Sequence, residues 1–187
     1  SSLVSMIVRE HVPLRELTTF KVGGLARFVC ECMSSLDIEE AIALAGKHQI
    51  PFTVLGEGSN VLAQDHGYEG VVLLIQISST SYSDQGEEVL VTAGAGVAWD
   101  TLVSEVVERG LWGLENLAGI PGTAGAAPVQ NIGAYGAELQ SLFVSASVYD
   151  AHTQTWTSYE REACQFAYRD SIFKHNRALV IGEVTLR

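Results

Sequence analysis

The most chemically suggestive part of the sequence is a long loop built from glycine, alanine and side-chain amides, Gly119–Gly136. It contains no charged side chain, so it differs from an ordinary solvated linker. Glycine and alanine let a flat ligand lie against the main chain, and unpaired backbone amides can bind diphosphate oxygens. Eighteen residues of irregular structure in a compact domain are more often functional than not. The alternative is a tightly packed loop that crosses the edge of a sheet.

A second, shorter glycine loop covers Gly56–Val61, directly after an apolar segment. Successive amides there can form an anion-binding concavity, to which the side chains of Ser59 and Asn60 can add hydrogen bonds. The loop lacks the Lys-Ser/Thr pair of a Walker loop and the third glycine of the dinucleotide fingerprint. Taken alone, an ordinary turn explains it equally well.

A third candidate is the segment Phe166–Lys174, in which Arg169 and Lys174 stand among aromatic and apolar residues. In an acidic protein, a guanidinium in this setting binds a carboxylate or phosphate of a ligand, or pairs with a neighbouring carboxylate such as Asp170. We expect the Arg169 guanidinium to be held and partly desolvated. No His or Cys pattern in the sequence indicates nucleophilic catalysis or a metal site.

Periodicity predicts the elements that must position these segments. Apolar residues at helical spacing predict helices over Leu36–His48, capped by Ser34 or Ser35, and over Trp99–Arg109, closed by Gly110. We expect no regular element in Gly110–Gly136 because of its glycine content. The predicted strands are Phe20–Cys32, Phe52–Leu55, Val71–Ile77, Val89–Ala93, Phe143–Tyr149, Thr155–Ser158 and Ala178–Leu186. The pattern predicts an α+β chain of two lobes, residues 6–79 and 80–187.

Composition limits the possible partners. The 187 residues carry a net charge of −11, which argues against a nucleic-acid surface but not against an anionic small ligand held by backbone amides. The apolar runs are too short to span a membrane. The three cysteines, Cys30, Cys32 and Cys164, are expected to be reduced and structural, in a cytoplasmic protein.

Five segments of the sequence match one protein family in order and at fitting spacings. They are Thr18–Gly24, Leu55–Val61, Glu115–Gly122, Pro128–Gly136 and Tyr168–Lys174, and the match covers about Val8 to Arg187. On these motifs the chain resembles the UDP-N-acetylenolpyruvoylglucosamine reductases of peptidoglycan synthesis. The resemblance implies a two-lobed FAD-binding fold of the vanillyl-alcohol oxidase and p-cresol methylhydroxylase type. Its first lobe is small, α/β and parallel, and the second is larger and mainly antiparallel.

The resemblance also implies the roles of particular residues. FAD would be held without a covalent bond, NADPH would reduce it, and the enolpyruvyl UDP-sugar would then be reduced. Arg169 matches the family arginine that binds the substrate and stabilises the developing negative charge, so it is the implied catalytic residue. Substrate binding is assigned to Tyr168, Arg169 and Lys174. Cofactor binding is assigned to Gly56, Glu57, Gly58, Ser59, Asn60, Val61, Pro121, Gly122, Thr123, Gly125, Ala126, Asn131, Gly133, Ala134 and Tyr135.

Two catalytic residues of the family have no counterpart in this sequence. They are a serine proton donor in a Gly-Ser-Phe-Phe-type motif and a glutamate near the C-terminus, both in a substrate-binding domain expected after Arg187. Ser171 belongs to the Tyr-Arg-Asp-Ser motif and does not match that donor. We therefore expect this chain to be inactive alone. The alternatives are a stand-alone flavin-binding redox module and a related FAD-dependent oxidase, although the Tyr168–Lys174 signature argues against the oxidase.

Overall fold

The computed structural model describes residues 5–17, 23–55 and 66–187. The chain forms two compact units, Ser1–Gln76 and Ile77–Arg187. In the parts of the chain that the structure describes, the first unit contains four strands and one α-helix, and the second contains seven strands and two α-helices.

The first unit is a four-stranded sheet in the order β1-β2-β4-β3, with one helix packed against it. Strands β2 and β3 both pair with β4 in parallel, whereas β1 pairs with β2 antiparallel. In β4 the consecutive residues Val71, Val72 and Leu73 are all fully buried, which is typical of a parallel strand covered on both faces. The elements are β1 Ile7–Pro13, β2 Leu25–Cys32, α1 Ser35–His48, β3 Phe52–Val54 and β4 Tyr68–Ile75.

The helix α1 begins where the sequence predicted a cap. The Ser34 hydroxyl accepts a hydrogen bond from the Asp37 amide at 3.3 Å, and the Asp37 carboxylate accepts one from the Met33 amide at 2.8 Å. The first bond satisfies an amide that the first turn of the helix leaves free, and the second ties the residue before the cap to the helix. Ile38 and Ala41 on the packed face are fully buried. The helix is therefore fixed by its cap and its apolar face, as its periodicity predicted.

The second unit is a five-stranded sheet in the order β10-β9-β11-β6-β5, in which every pair is antiparallel. The last strand of the chain, β11, lies between β6 and β9 and so joins two hairpins that are distant in sequence. The elements are β5 Thr80–Asp84, β6 Val89–Gly94, α2 Trp99–Glu108, β7 Gly133–Ala134, β8 Ala137–Glu138, β9 Phe143–Asp150, β10 Thr155–Glu160, α3 Ile172–His175 and β11 Leu179–Leu186. The predicted fold class is confirmed, with a parallel-rich first unit and an antiparallel second one.

Several details differ from the sequence prediction. The strand β1 was missed, because most of its side chains are exposed and carry little hydrophobic signal, and the short elements β8 and α3 were not predicted either. The strand β5 lies in the polar segment Ser78–Glu88, for which the sequence favoured a hairpin or a boundary between lobes, and it forms a hairpin with β6. The expectation of no regular structure over Gly110–Gly136 was wrong in part. A short 3-10 helix covers Glu115–Leu117, and β7 begins at Gly133 to form a two-stranded ribbon with β8.

The three cysteines are free and buried, as predicted. Burial raises the pKa of the Cys30 thiol to about 11 and that of the Cys164 thiol to about 12. Neither thiol is a thiolate at neutral pH, so both behave as small apolar side chains. Within the described ranges, no helix has the length and apolar character needed to cross a membrane.

Candidate functional site

The glycine-rich loop Gly119–Gly136 follows α2 in the second unit and is fixed mainly by its own backbone. Its residues 122–125 run antiparallel to residues 95–98, which connect β6 to α2. The Ala124 amide donates to the Val97 carbonyl at 2.8 Å, the Gly125 amide to the Ala95 carbonyl at 3.0 Å, and the Trp99 amide to the Gly122 carbonyl at 2.9 Å. A Cβ atom added at Gly125 would lie 2.6 Å from the Ala95 Cβ. Only glycine lets the two backbones approach this closely.

The start of the loop is anchored to the first turn of α2. The Gly119 amide donates to the Asp100 carboxylate at 2.9 Å, and the buried Trp99 indole donates to the Leu117 carbonyl at 2.9 Å. Neither Asp100 nor Trp99 was assigned to the site from the sequence. The sequence gives only one indication of their role, which is that both lie at the start of the helix that precedes the loop.

Between these anchors the main chain of the loop is open. Gly122 is exposed, has a φ of +120°, and would place an added Cβ no closer than 3.9 Å to another atom. The backbone amides of Gly122 and Thr123 meet no hydrogen-bond acceptor among the described residues. Because residues 119–137 carry no charged side chain, no carboxylate of the loop itself would repel an anion. This part of the loop can offer two amide donors to a phosphate oxygen.

The end of the loop forms the β7–β8 ribbon, whose turn carries the aromatic residue Tyr135. Its side chain is 95% exposed, and its φ is +51°. Asn131, just before the ribbon, is fully buried and also has a positive φ, of +42°. The two residues were both assigned to cofactor binding from the sequence, but the structure gives them opposite environments.

The substrate-binding residues assigned from the sequence lie on and beside a tight turn. Ala167 and Asp170 exchange two backbone hydrogen bonds, of 3.0 and 3.2 Å, which leaves Tyr168 and Arg169 at the tip. Tyr168 is 82% exposed, and the Lys174 ammonium donates to the Arg169 carbonyl at 3.2 Å. The turn therefore presents an aromatic ring and two cationic side chains together.

Arg169 is exposed, so the expected partial desolvation of its guanidinium was wrong for this chain. Its one aromatic contact among the described residues is with the exposed Tyr168, whose ring centre lies 5.7 Å from the Arg169 Cζ in a cation–π arrangement, and this does not bury the arginine. A Cβ added at Gly133 would lie 3.5 Å from Arg169 Nη1. The fold thus places this guanidinium next to Gly133 in strand β7, at the end of the glycine-rich loop.

One ion pair supports the far side of the turn. The Asp170 carboxylate lies 2.7 Å from the His175 ring nitrogen, and this hydrogen bond holds the pKa of Asp170 below its usual 3.8. Asp170 therefore pairs with His175 and leaves Arg169 free of the Arg169–Asp170 ion pair that the sequence allowed. Among the described residues no carboxylate lies within ion-pair distance of the Arg169 guanidinium.

Two predicted motifs cannot be located. The Gly56–Val61 loop, with its six assigned cofactor residues, lies outside the described residues, as do residues 18–22 of the first family motif. Their assignments stay predictions. The described site therefore consists of the glycine-rich loop and the Tyr168–Arg169 turn, both in the second unit.

Comparison with known proteins agrees with the motifs. Residues 26–157 match the family model of the FAD binding domain. The chain is 43% identical over 171 residues to the UDP-N-acetylenolpyruvoylglucosamine reductase of Pseudomonas aeruginosa, covering 91% of this chain and 50% of the relative. It is 44% identical over 182 residues to that of Ralstonia nicotianae, covering 94% and 53%. The chain thus spans about half the length of the curated relatives it matches.

Solved structures give the same result. The crystal structure of the Thermus caldophilus UDP-N-acetylenolpyruvylglucosamine reductase matches with a TM-score of 0.72 and 28% identity, over 98% of this chain and 62% of that one. A 6-hydroxy-D-nicotine oxidase from Arthrobacter nicotinovorans matches with a TM-score of 0.70 at 17% identity, over 98% and 42%, and shows the fold alone. The resemblance to the reductase family is therefore confirmed.

The residues present fit the cofactor that this family binds. FAD carries a diphosphate and a flat ring, and the loop offers open amides at Gly122 and Thr123 and no side chain at Gly122 that would fill the space. The prediction of FAD as the cofactor is confirmed by the family match, whereas the individual cofactor-binding residues stay predictions. This chain belongs to the FAD binding domain family, over most of its length and in both of its compact units.

Proposed function

We propose that this chain is the FAD-binding part of an NADPH-dependent reductase that converts UDP-N-acetylglucosamine enolpyruvate to UDP-N-acetylmuramate in peptidoglycan synthesis. Two neighbouring features carry the proposal. One is an uncharged glycine loop with open amides, and the other is the Arg169 guanidinium beside Gly133, which pairs with no carboxylate in the part of the chain that the structure describes. The first feature suits a diphosphate cofactor, and the second suits an anionic substrate. Relatives at 43% and 44% identity carry the name of this reductase.

The cofactor would be held chiefly by main chain. The amides of Gly122 and Thr123 would bind phosphate oxygens, and the Gly56–Val61 loop would contribute a second set of amides. Four further residues assigned to cofactor binding have compact side chains or none: Pro121, Gly125, Ala126 and Ala134. The exposed Tyr135 ring is available to contact the cofactor. When bound, FAD would supply the hydride-transfer chemistry between NADPH and the enolpyruvyl group.

Arg169 would recognise the substrate carboxylate and stabilise the negative charge that develops during reduction. A planar guanidinium can donate two parallel hydrogen bonds to a carboxylate, which fixes its orientation as well as its charge. A cation fixed before the reaction stabilises the transition state without reorganisation at the moment of transfer. The exposed Tyr168 and Lys174 stand beside it and would bind other parts of the UDP-sugar.

The complete reaction would need groups that this sequence does not contain. The serine proton donor and the glutamate belong to a substrate-binding domain in the family, so the chain alone would bind flavin without turning over substrate. The reaction would take place in the cytoplasm, where three buried and unpaired cysteines would stay reduced.

The cofactor half of the proposal is tested by the visible spectrum of the purified chain, followed by NADPH under anaerobic conditions. We expect a flavin spectrum after incubation with FAD. If the protein restored to the length of its relatives is bleached by NADPH and reoxidised by the enolpyruvyl substrate, the reductase assignment holds. A restored protein that binds FAD but is not bleached would favour the stand-alone flavin module.

The substrate half is tested by Arg169→Ala in the restored protein. We expect reduction by NADPH to change little, whereas oxidation by the enolpyruvyl substrate should slow by about 100-fold or more, the scale for removing one charge-stabilising donor. Arg169→Lys should recover only part of the rate, because an ammonium lacks the planar fork. Arg177→Ala, at another exposed arginine of the second unit, is the matched control. An unchanged oxidative half-reaction in Arg169→Ala would contradict the assigned role.

A further inference from the structure

The turn that carries Arg169 is held in a conformation that its sequence does not favour. Arg169 has a φ of +51°, in the left-handed region that residues with a side chain rarely adopt. The two backbone hydrogen bonds between Ala167 and Asp170 close the turn, but they do not attach it to the rest of the molecule. Its position relative to the glycine-rich loop must come from other contacts.

Two buried polar side chains make those contacts. The side-chain nitrogen of Asn131 donates to the backbone carbonyl of Ala167 at 3.0 Å. The side-chain oxygen of Asn131 accepts from the backbone amide of Gln140 at 3.0 Å. On the other side of the turn, the Ser171 hydroxyl donates to the Val129 carbonyl at 2.8 Å. Asn131 is 0% exposed and Ser171 is 1% exposed. Both bonds therefore link the glycine-rich loop to the turn through a buried donor side chain, although the acceptor residue Ala167 is itself exposed.

The side chain of Asn131 is fully engaged within the protein. Its nitrogen and oxygen each have a protein partner, and the residue has no exposed surface with which to contact a ligand. Its φ of +42° suits asparagine better than most residues. These observations favour a structural role for Asn131 within the protein. They argue against the direct contact with the cofactor that the family resemblance suggested.

We propose that Asn131 and Ser171 are positioning residues that fasten the Tyr168–Arg169 turn to the glycine-rich loop, so that the substrate-binding guanidinium keeps a fixed place beside the flavin site. The role of Arg169 in this statement rests on the proposed function. The attachment of the turn rests only on the geometry of the two hydrogen bonds that these buried side chains donate. Neither side chain touches substrate, and each acts through the backbone of the turn.

Amide hydrogen exchange measured by NMR on this chain tests the attachment. In Ser171→Ala the protection of the Asp170 and Ile172 amides should fall by roughly 5- to 100-fold, since a buried carbonyl loses its donor. Asn131→Asp keeps the oxygen acceptor and tolerates positive φ but loses the donor to Ala167, so the same amides should lose protection.

Thr92→Val is the matched control for hydrogen exchange. It removes the 2.8 Å hydroxyl contact between Thr92 and Thr185 in the sheet of the same unit, far along the chain from the turn. It should lower protection near β6 and leave the amides of the turn unchanged. If Ser171→Ala and Asn131→Asp lowered protection at the turn no more than Thr92→Val does, the proposal would be overturned.

The two half-reactions of the restored protein test the positioning itself. Ser171→Ala should slow oxidation by the enolpyruvyl substrate on the order of 10- to 100-fold, because a small displacement of a catalytic group is costly, and reduction by NADPH should be nearly unchanged. A purely structural residue would slow both half-reactions together or neither. The variant Arg169→Ala separates the possible failures. If Arg169→Ala slows oxidation by the substrate but Ser171→Ala and Asn131→Asp do not, the positioning role is wrong. If Arg169→Ala itself does not slow oxidation, the proposed function fails, and the positioning role fails with it.

Discussion

The helix and sheet of the first unit and the glycine-rich loop of the second unit are built on opposite principles. Helix α1 is held by buried side chains such as Ile38, packed on a sheet whose central residues are fully buried. The loop is held largely by backbone hydrogen bonds between residues 95–99 and 122–125, and the side chains of the second segment are small, although Ala124 and Val129 are buried as well. Side-chain burial dominates in the first region, whereas the loop leaves main chain at Gly122 open to a ligand.

The largest effect should come from the side-chain-packed region. Ile38→Ala removes three carbons from a fully buried position and leaves a cavity, which should lower the free energy of unfolding by about 3 kcal/mol. Denaturation in urea measures this loss. Leu36→Ala, in the same helix at a position 53% exposed, is the control and should cost far less. Equal losses in the two variants would mean that α1 is not packed as described.

A smaller but clear loss should follow Gly125→Ala in the loop. The added methyl would lie 2.6 Å from the Ala95 Cβ and 3.0 Å from the Ala95 carbonyl oxygen, so the two backbone segments must move apart. Overpacking of this kind costs about 1–3 kcal/mol. Gly46→Ala is the control, since an added Cβ there meets nothing within 4 Å and alanine favours a helix. A stable Gly125→Ala variant would show that the two segments are not in close contact.

Gly122→Val separates ligand binding from folding. Its φ of +120° strains a branched residue by about 1–2 kcal/mol, but the added atoms meet no close neighbour, so the folded chain should survive. The side chain would enter the space in front of the open amides, so FAD affinity should fall by tenfold or more at roughly 1.4 kcal/mol per factor of ten. Flavin fluorescence titration measures the affinity, and circular dichroism checks the fold. Unchanged affinity in a folded variant would remove the loop from the cofactor site.

The smallest effect should come from Asp170→Asn at the exposed ion pair. Because the His175 hydrogen bond lowers the pKa of Asp170 below 3.8, the pair stabilises the folded state above pH 3.8, and that contribution is lost as the pH falls through the lowered value. The difference in melting temperature between the variant and the wild type should therefore be small at pH 7 and shrink below pH 3.8. Glu87→Gln, at an exposed position, is the control. A difference that grew as the pH fell below 3.8 would contradict the ion pair.

The same contrast explains what could be predicted from the sequence. The apolar residues of α1 predicted its start to within one residue, and those of β4 predicted its ends to within three residues, because burial of side chains leaves a pattern in the sequence. The glycine-rich loop was found from composition, and the roles of its residues came from the family motifs. Its internal bonds, such as that of Gly119 to Asp100, leave no periodic pattern.

The Tyr168–Arg169 turn was located by its motif, but its environment was not. Arg169 was expected to be partly desolvated because aromatic residues flank it in sequence, whereas Arg169 and Tyr168 lie at the tip of the turn and are both exposed. Ser171 was set aside as a proton donor, and its bond to Val129 was not foreseen, since the two residues are 42 positions apart. Contacts of that range depend on the completed fold.

The central claim is that this chain binds FAD through the main chain of its glycine-rich loop, and a flavin fluorescence titration of the purified 187-residue chain tests it most directly. The account predicts saturable binding of about one FAD per chain, with a dissociation constant of tens of micromolar or tighter, corresponding to about −6 kcal/mol or more. Riboflavin, which lacks the diphosphate, should bind much more weakly. A folded chain with no saturable FAD binding in this range, or one that binds riboflavin as tightly as FAD, would contradict the claim.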